Sequence, residues 1–139
     1  PEMAEILATI PRTACFVLEF EANCGPDLLR VRLPEFVRIL RAKNPTTPIL
    51  VVSRITFSYD VMPGLSAYPG PDSVGFQRHL VASRRQAGDR NIYFLDGFSL
   101  LGEDAEECTV DGVHPTDLGF MRIAKGMAPI LREILFGEG

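Results

Sequence analysis

Tryptophan is absent from the 139 residues, and histidine occurs only as His79 and His114. Cysteine is sparse: Cys15, Cys24 and Cys108 form no C-x-x-C and no cluster with histidine at zinc spacing. That pattern argues against a disulfide framework and a structural zinc site, and leaves three reduced thiols. No apolar run approaches the ~20 residues that cross a bilayer. No charged-then-apolar leader follows Pro1-Glu2-Met3. There is no basic block: 14 Lys+Arg stand against 18 Asp+Glu, for a net charge of −4 and a pI near 5.2. Nor are aromatics interleaved with Arg or Lys, so nucleic acid and anionic membrane are poor partners. What remains is a chain 46% hydrophobic and 23% charged, which folds as one domain over residues 1–139. Composition leaves a soluble enzyme or an interaction domain.

The pattern alternates helix and strand. Met3, Ile6, Leu7 and Ile10 recur at helical spacing from the first residues. Residues 14–20 are apolar and aromatic, a strand that ends in the loop Glu21-Ala22-Asn23-Cys24-Gly25-Pro26. A helical stretch runs on to about Lys43, its regular part expected to start near Pro34. Residues 48–55, with Ile49-Leu50-Val51-Val52, read as a central parallel strand apolar on both faces. A long Pro/Gly/Ser/Tyr-rich segment from Thr56 to about Pro71 precedes an Arg-rich helix over 71–87. Residues 91–96 form a third strand. The last helix begins after Thr116, a suitable N-cap, with Leu118, Met121, Ala124, Ala128, Leu131 and Leu135 as its expected buried stripe and a kink at Pro129. The expected fold is an α/β three-layer sandwich with a parallel, flavodoxin-like sheet. Three strands are visible where such domains have about five or more, so part of the domain is expected upstream of Pro1. The strand around Val17 would then present an open apolar edge, covered by that missing segment or by another chain, as in a homo-oligomer.

Ligands in open α/β sheets bind outside the carboxyl ends of the strands. Asp111-Gly112-Val113-His114 belongs to that edge. A carboxylate three residues before an imidazole can fold back onto it, fix its tautomer and stabilise the imidazolium. The whole block Asp111-Gly112-Val113-His114-Pro115-Thr116-Asp117-Leu118-Gly119 resembles the last signature block of the SGNH/GDSL hydrolase superfamily, D-G-x-H-P-x-x-x-G, in its bacterial GDSL-like lipase/acylhydrolase branch. Residues 36–41 followed by 47–52 are similar to a helix and strand of that branch, and Asn23 falls where the G-x-N-D block supplies its Asn.

The resemblance covers nearly the whole chain, as the C-terminal two-thirds or so of a catalytic domain. It implies His114 as general base, Asp111 as its orienting partner and Asn23 as an oxyanion-hole donor. Arg54, at the end of the central strand, is a candidate for binding an anionic or sugar substrate. The departures are specific. G-x-N-D reads Glu21-Ala22-Asn23-Cys24, and neither the Gly-Asp-Ser nucleophile block nor the Gly of the second block is present. Ser53, Ser58, Ser66, Ser73, Ser83 and Ser99 sit in no sharp nucleophile turn; Ser53 and Ser58 are nearest the active edge. Glu19, Glu21 and His79 read as hydrogen-bonded or solvated side chains, and the run Glu103, Asp104, Glu106, Glu107 as a solvated loop.

The implied activity is hydrolysis of a carboxylic ester, lipidic or saccharide, by a Ser-His-Asp mechanism whose Ser lies outside these residues. No metal or cofactor is called for. The alternative is a non-catalytic interaction or assembly domain, or an inactive fragment, that keeps the shell of the site. No compartment can be read from the sequence.

Overall fold

The computed structural model describes residues 2–61 and 70–137. Three strands, β1 (Phe16–Leu18), β2 (Ile49–Val52) and β3 (Ile92–Leu95), make a parallel sheet in the order β1-β2-β3. Around it lie α1 (Glu2–Leu7), α2 (Glu21–Lys43), the single turn α3 (Ser58–Val61), α4 (Gly70–Gln86) and α5 (Asp117–Phe136).

Strand β2 shows why the layers form. Its side chains alternate, so Ile49 and Val51 face one way and Leu50 and Val52 the other. The first pair packs with Leu29, Leu33, Val37 and Leu40 of α2 and Val81 of α4. The second pair meets Ile123, Met127 and Ile130 of α5. Both faces are thereby dry, and each fully buried aliphatic side chain contributes about 1.5–3 kcal/mol. The result is the α/β three-layer sandwich expected from the sequence.

Several local expectations are corrected. Residues 21–24 are not loop but the first turn of α2; Gly25, at φ 66°, breaks the helix, and Pro26 opens the next stretch. That stretch passes through Pro34, well before which the helix is already regular. In α1 and the turn that follows it, Ala4 and Ala8 are the buried residues, while Met3, Ile6 and Ile10 are exposed. Small side chains let α1 lie close against α2, which larger ones on that face would prevent. The seam of α5 is Ile123, Met127, Ile130 and Ile134 with Leu118 and Leu131, whereas Met121 and Leu135 are exposed. This helix is apolar on most sides, so periodicity alone permits more than one seam. It continues as one helix through Pro129. Of the long segment after β2, residues 58–61 form α3 and residues 62–69, Ser66 among them, lie outside the described residues.

Strand β1 is the sheet's edge. Among the described residues nothing pairs with its outer side, and Val17 is 44% exposed. Val17 is in register with Leu50 and so points to the α5 side, where it lines a cleft with Phe120 and Met127.

Candidate active site

The carboxyl ends of the three parallel strands open on one edge. From β1 the chain turns into the first turn of α2 with Asn23; β2 leads to Ser53 and Arg54; β3 leads to Asp96. After two 3-10 turns, Gly97–Ser99 and Ala105–Cys108, the chain returns to this edge as a tight hairpin held by an antiparallel bridge between Thr109 and Pro115. Val110 N–H donates to the His114 carbonyl at 2.8 Å, and Thr116 N–H to that of Cys108 at 2.8 Å.

Asp111 organises the hairpin tip. Its Oδ1 accepts from the backbone N–H of Val113 at 3.0 Å and of His114 at 2.9 Å, and its Oδ2 lies 2.7 Å from His114 Nδ1. Gly112 sits between them at φ 87°, a conformation that other L residues rarely adopt. The His114 backbone N–H, the His114 ring and the Val113 N–H, in that order, lower the Asp111 carboxyl from 3.8 to about 2. A carboxylate held ionised can only accept, so Nδ1 carries a proton, and in the neutral ring Nε2 is the nitrogen with the lone pair. That nitrogen has no hydrogen-bond partner among the described residues.

The shift gives a pH window. A depressed carboxyl stabilises the folded hairpin above the unfolded value near 3.9, and loses that contribution as pH falls toward about 2. The Asp111 carboxyl carbon, followed by NMR, is expected to titrate with a midpoint near 2. A midpoint near 4 would mean that the ring and the two amides do not hold it.

The rest of the signature is also structural. Thr116 caps α5 by accepting from Gly119 N–H at 3.3 Å. A Cβ on Gly119 would overlap the carbonyl oxygen of Cys108, so the glycine that ends the block is what lets the hairpin base sit on the helix.

His114 and Asn23 border the same cleft, of about 480 Å³, with Val17, Glu19, Phe120 and Met127 along its walls. The structure therefore brings His114, Asp111 and Asn23, the residues expected as base, orienting carboxylate and amide donor, together at one edge. The imidazole is 77% exposed at the rim, its Asp111 side fixed and the other side open.

Arg54 sits in a different setting from the one expected. Expected as a substrate-binding cation, its guanidinium is wholly buried and pairs with both Asp60 oxygens at 2.6 and 2.8 Å. It also donates to the Ile55 carbonyl at 3.0 Å and lies 4.3 and 4.8 Å from the Phe57 and Phe98 ring centres. Arg54 still contributes to the lining of the cleft, but its charge is committed to Asp60.

Ser53 is equally committed. It is buried, its Oγ accepting from Gly97 N–H at 2.8 Å and lying 3.4 Å from Asp96 Oδ1. Ser58 Oγ lies against Thr109, Ser83 against His79, and Ser99 donates to the Asp96 carbonyl. Among the described residues no serine hydroxyl bonds to His114. His79 is exposed on α4, Glu19 is exposed at the cleft, and Asp104 of the acidic loop is tied to Arg122. The three cysteines are free.

The sequence reading missed the buried polar layer beneath the site. Glu21, wholly buried, accepts from Arg54 N–H at 3.2 Å and from Gln77 Nε2 at 2.7 Å. One signal was available: Ser73, Gln77 and Val81 fall at i, i+4 and i+8 on α4, and a Gln in a buried stripe requires a polar partner from elsewhere. Asp60 had a weaker one, an arginine following a strand buried on both faces.

Residues 1–132 match the model of the GDSL-like Lipase/Acylhydrolase family. The chain belongs to that family. It is also similar to the crystal structure of a GDSL-like lipase from Bacteroides ovatus ATCC 8483, with 33% identity and a TM-score of 0.84, over 96% of this chain and 39% of that one. The salicylyl-acyltransferase SsfX3 from a tetracycline biosynthetic pathway has the same fold, with a TM-score of 0.74 at 22% identity, over 96% of this chain and 42% of that one. This GDSL-family chain thus spans about two-fifths of the length of either structure. No curated protein matches it.

Proposed function

We propose that this GDSL-family chain supplies the proton-handling half of a serine acylhydrolase that cleaves carboxylic esters, lipidic or saccharide. The carrying observation is the 2.7 Å contact between His114 Nδ1 and an ionised Asp111, on the cleft that Asn23 also borders. His114 Nε2 removes the proton from an attacking serine and later returns it to the leaving alcohol. The Asn23 side chain donates to the oxyanion of the tetrahedral intermediate, a contact worth about 2.7–4 kcal/mol in comparable sites.

The serine comes from outside these residues, on a strand that pairs with the free side of β1. Three features support that reading: the unpaired outer side of β1, the exposed Val17, and the commitment of Ser53 and Ser58 to other partners. A fourth parallel strand there would end at the Asn23 edge, where an attacking hydroxyl is needed.

A fluorophosphonate probe applied to the intact protein tests this. The expected adduct is on a serine outside residues 1–139, and it disappears in His114→Ala. The 139-residue chain alone is expected to hydrolyse p-nitrophenyl acetate little above background. Robust turnover of that chain, abolished by Ser53→Ala, would place the nucleophile inside it and overturn the reading.

A further inference from the structure

Among the described residues His114 and Asp111 hydrogen-bond only to each other and to the hairpin that bears them, and both are largely exposed. Some other group has to hold the hairpin tip over the cleft. The base of the hairpin is seated on α5 through Cys108 and Gly119. The tip is tied elsewhere. Ser58 N–H, at the start of α3, donates to the Gly112 carbonyl at 2.8 Å, and Ser58 Oγ lies 3.1 Å from Thr109 Oγ1.

Behind Ser58 the turn is closed on a buried charge. Asp60 Oδ2 accepts from Phe57 N–H at 2.7 Å while both of its oxygens hold Arg54, which leaves the end of β2. An enclosed ion pair of this kind has one geometry, because either charge left alone in the interior is costly. The orientation of the Ser58 N–H is therefore fixed from the sheet outward.

We propose that α3, locked by the Arg54–Asp60 pair, is the clamp that positions the hairpin of the general base, with Ser58 as its point of attachment. The proposal rests on the reading of His114 as that base. Ser58 is a positioning residue: it bonds to the hairpin at Gly112 and Thr109 and is not among the residues that line the cleft. The clamp acts on where Nε2 stands relative to the attacking oxygen, and misplacement by about 1 Å costs about a hundredfold in rate.

The test is Ser58→Pro in the intact protein. Proline is accepted at a first helical position, and here it removes both the N–H and the hydroxyl. Amide exchange at Val110 and Thr116, the two hydrogen-bonded N–H groups of the hairpin, is expected to accelerate about tenfold while β2 stays protected. In the same variant kcat for an ester falls about tenfold to a hundredfold with KM unchanged. Should the proline variant fail to fold, Ser58→Ala with Thr109→Val removes only the hydroxyl pair, and both readouts are expected to move the same way by about threefold. Wild-type exchange at Val110 and Thr116, or wild-type kcat, in whichever variant folds overturns the clamp. Failure of the hydrolase reading looks different: His114→Ala itself would keep wild-type turnover, while amide exchange would still report whether Ser58 holds the hairpin.

Discussion

His114→Ala in the intact protein is expected to lower kcat/KM for an ester substrate by three to six decades, as loss of the base does in serine hydrolases generally, about 10⁶ in kcat at the upper end. The size follows from the geometry. Nε2 is the open nitrogen of a ring whose other nitrogen is pinned at 2.7 Å by a carboxylate, and among the described residues no second base borders the cleft within a comparable arrangement. Glu19 is on the wall, its carboxyl raised by desolvation and accepting from Ala22 N–H at 3.5 Å, but no second titratable side chain among the described residues orients it as Asp111 orients His114. Asp111→Asn keeps the shape of the hairpin and replaces the obligate acceptor with a group that can also donate. The ring then loses its fixed tautomer, and a fall of about 10⁴ is expected. Asn23→Ala leaves the proton path intact and removes one oxyanion donor, for about 10² to 10³. The order His114, Asp111, Asn23 separates the three roles. Equal small losses in all three, or an unaffected His114→Ala, would leave the cleft without acid–base chemistry and favour a binding role for this domain.

The strands and the D-G-x-H-P hairpin were legible in the sequence because each is specified locally. Ile49-Leu50-Val51-Val52 can only be a strand covered on both faces, and Asp111 can reach His114 within one turn. The role of Arg54 was not legible, because its partner Asp60 and its aromatic walls Phe57 and Phe98 meet it only when α3 and the loop after β3 fold over the strand end. A cation after a strand has the same local signature whether it faces substrate or is sealed away. Glu21 was legible as a hydrogen-bonded or solvated carboxylate and is hydrogen-bonded, but its burial was not legible, because its partners Arg54 and Gln77 come from other elements. The burial of Ala4 and Ala8, in α1 and the turn that follows it, was hidden because hydrophobicity ranks Ile and Met above Ala, while close packing between helices favours the smaller side chain.

Removing one member of the buried pair is expected to be the most damaging change to stability: Arg54→Leu or Asp60→Asn costs about 3–5 kcal/mol, since the surviving charge or dipole is left in the interior without its partner. The pair-swapped variant Arg54→Met with Asp60→Leu leaves no charge behind, and its cost is expected to fall well below the sum of the two single changes. The pH dependence separates the ion pair from simple packing. Burial alone would raise the Asp60 carboxyl; the Arg54 guanidinium and the Phe57 N–H outweigh it and hold the group below its ordinary value. A depressed carboxyl contributes stability above its unfolded value, near 3.9, and loses it as pH falls toward the folded value. Asp60→Asn should therefore differ most from the wild type at pH 7, and the gap should narrow below pH 4. Denaturant unfolding of both proteins at pH 7 and pH 3 measures that gap directly. A deficit of the same size at both pH values would assign the loss to shape and hydrogen bonding at position 60, and the charge on Asp60 would then have no part in locking α3.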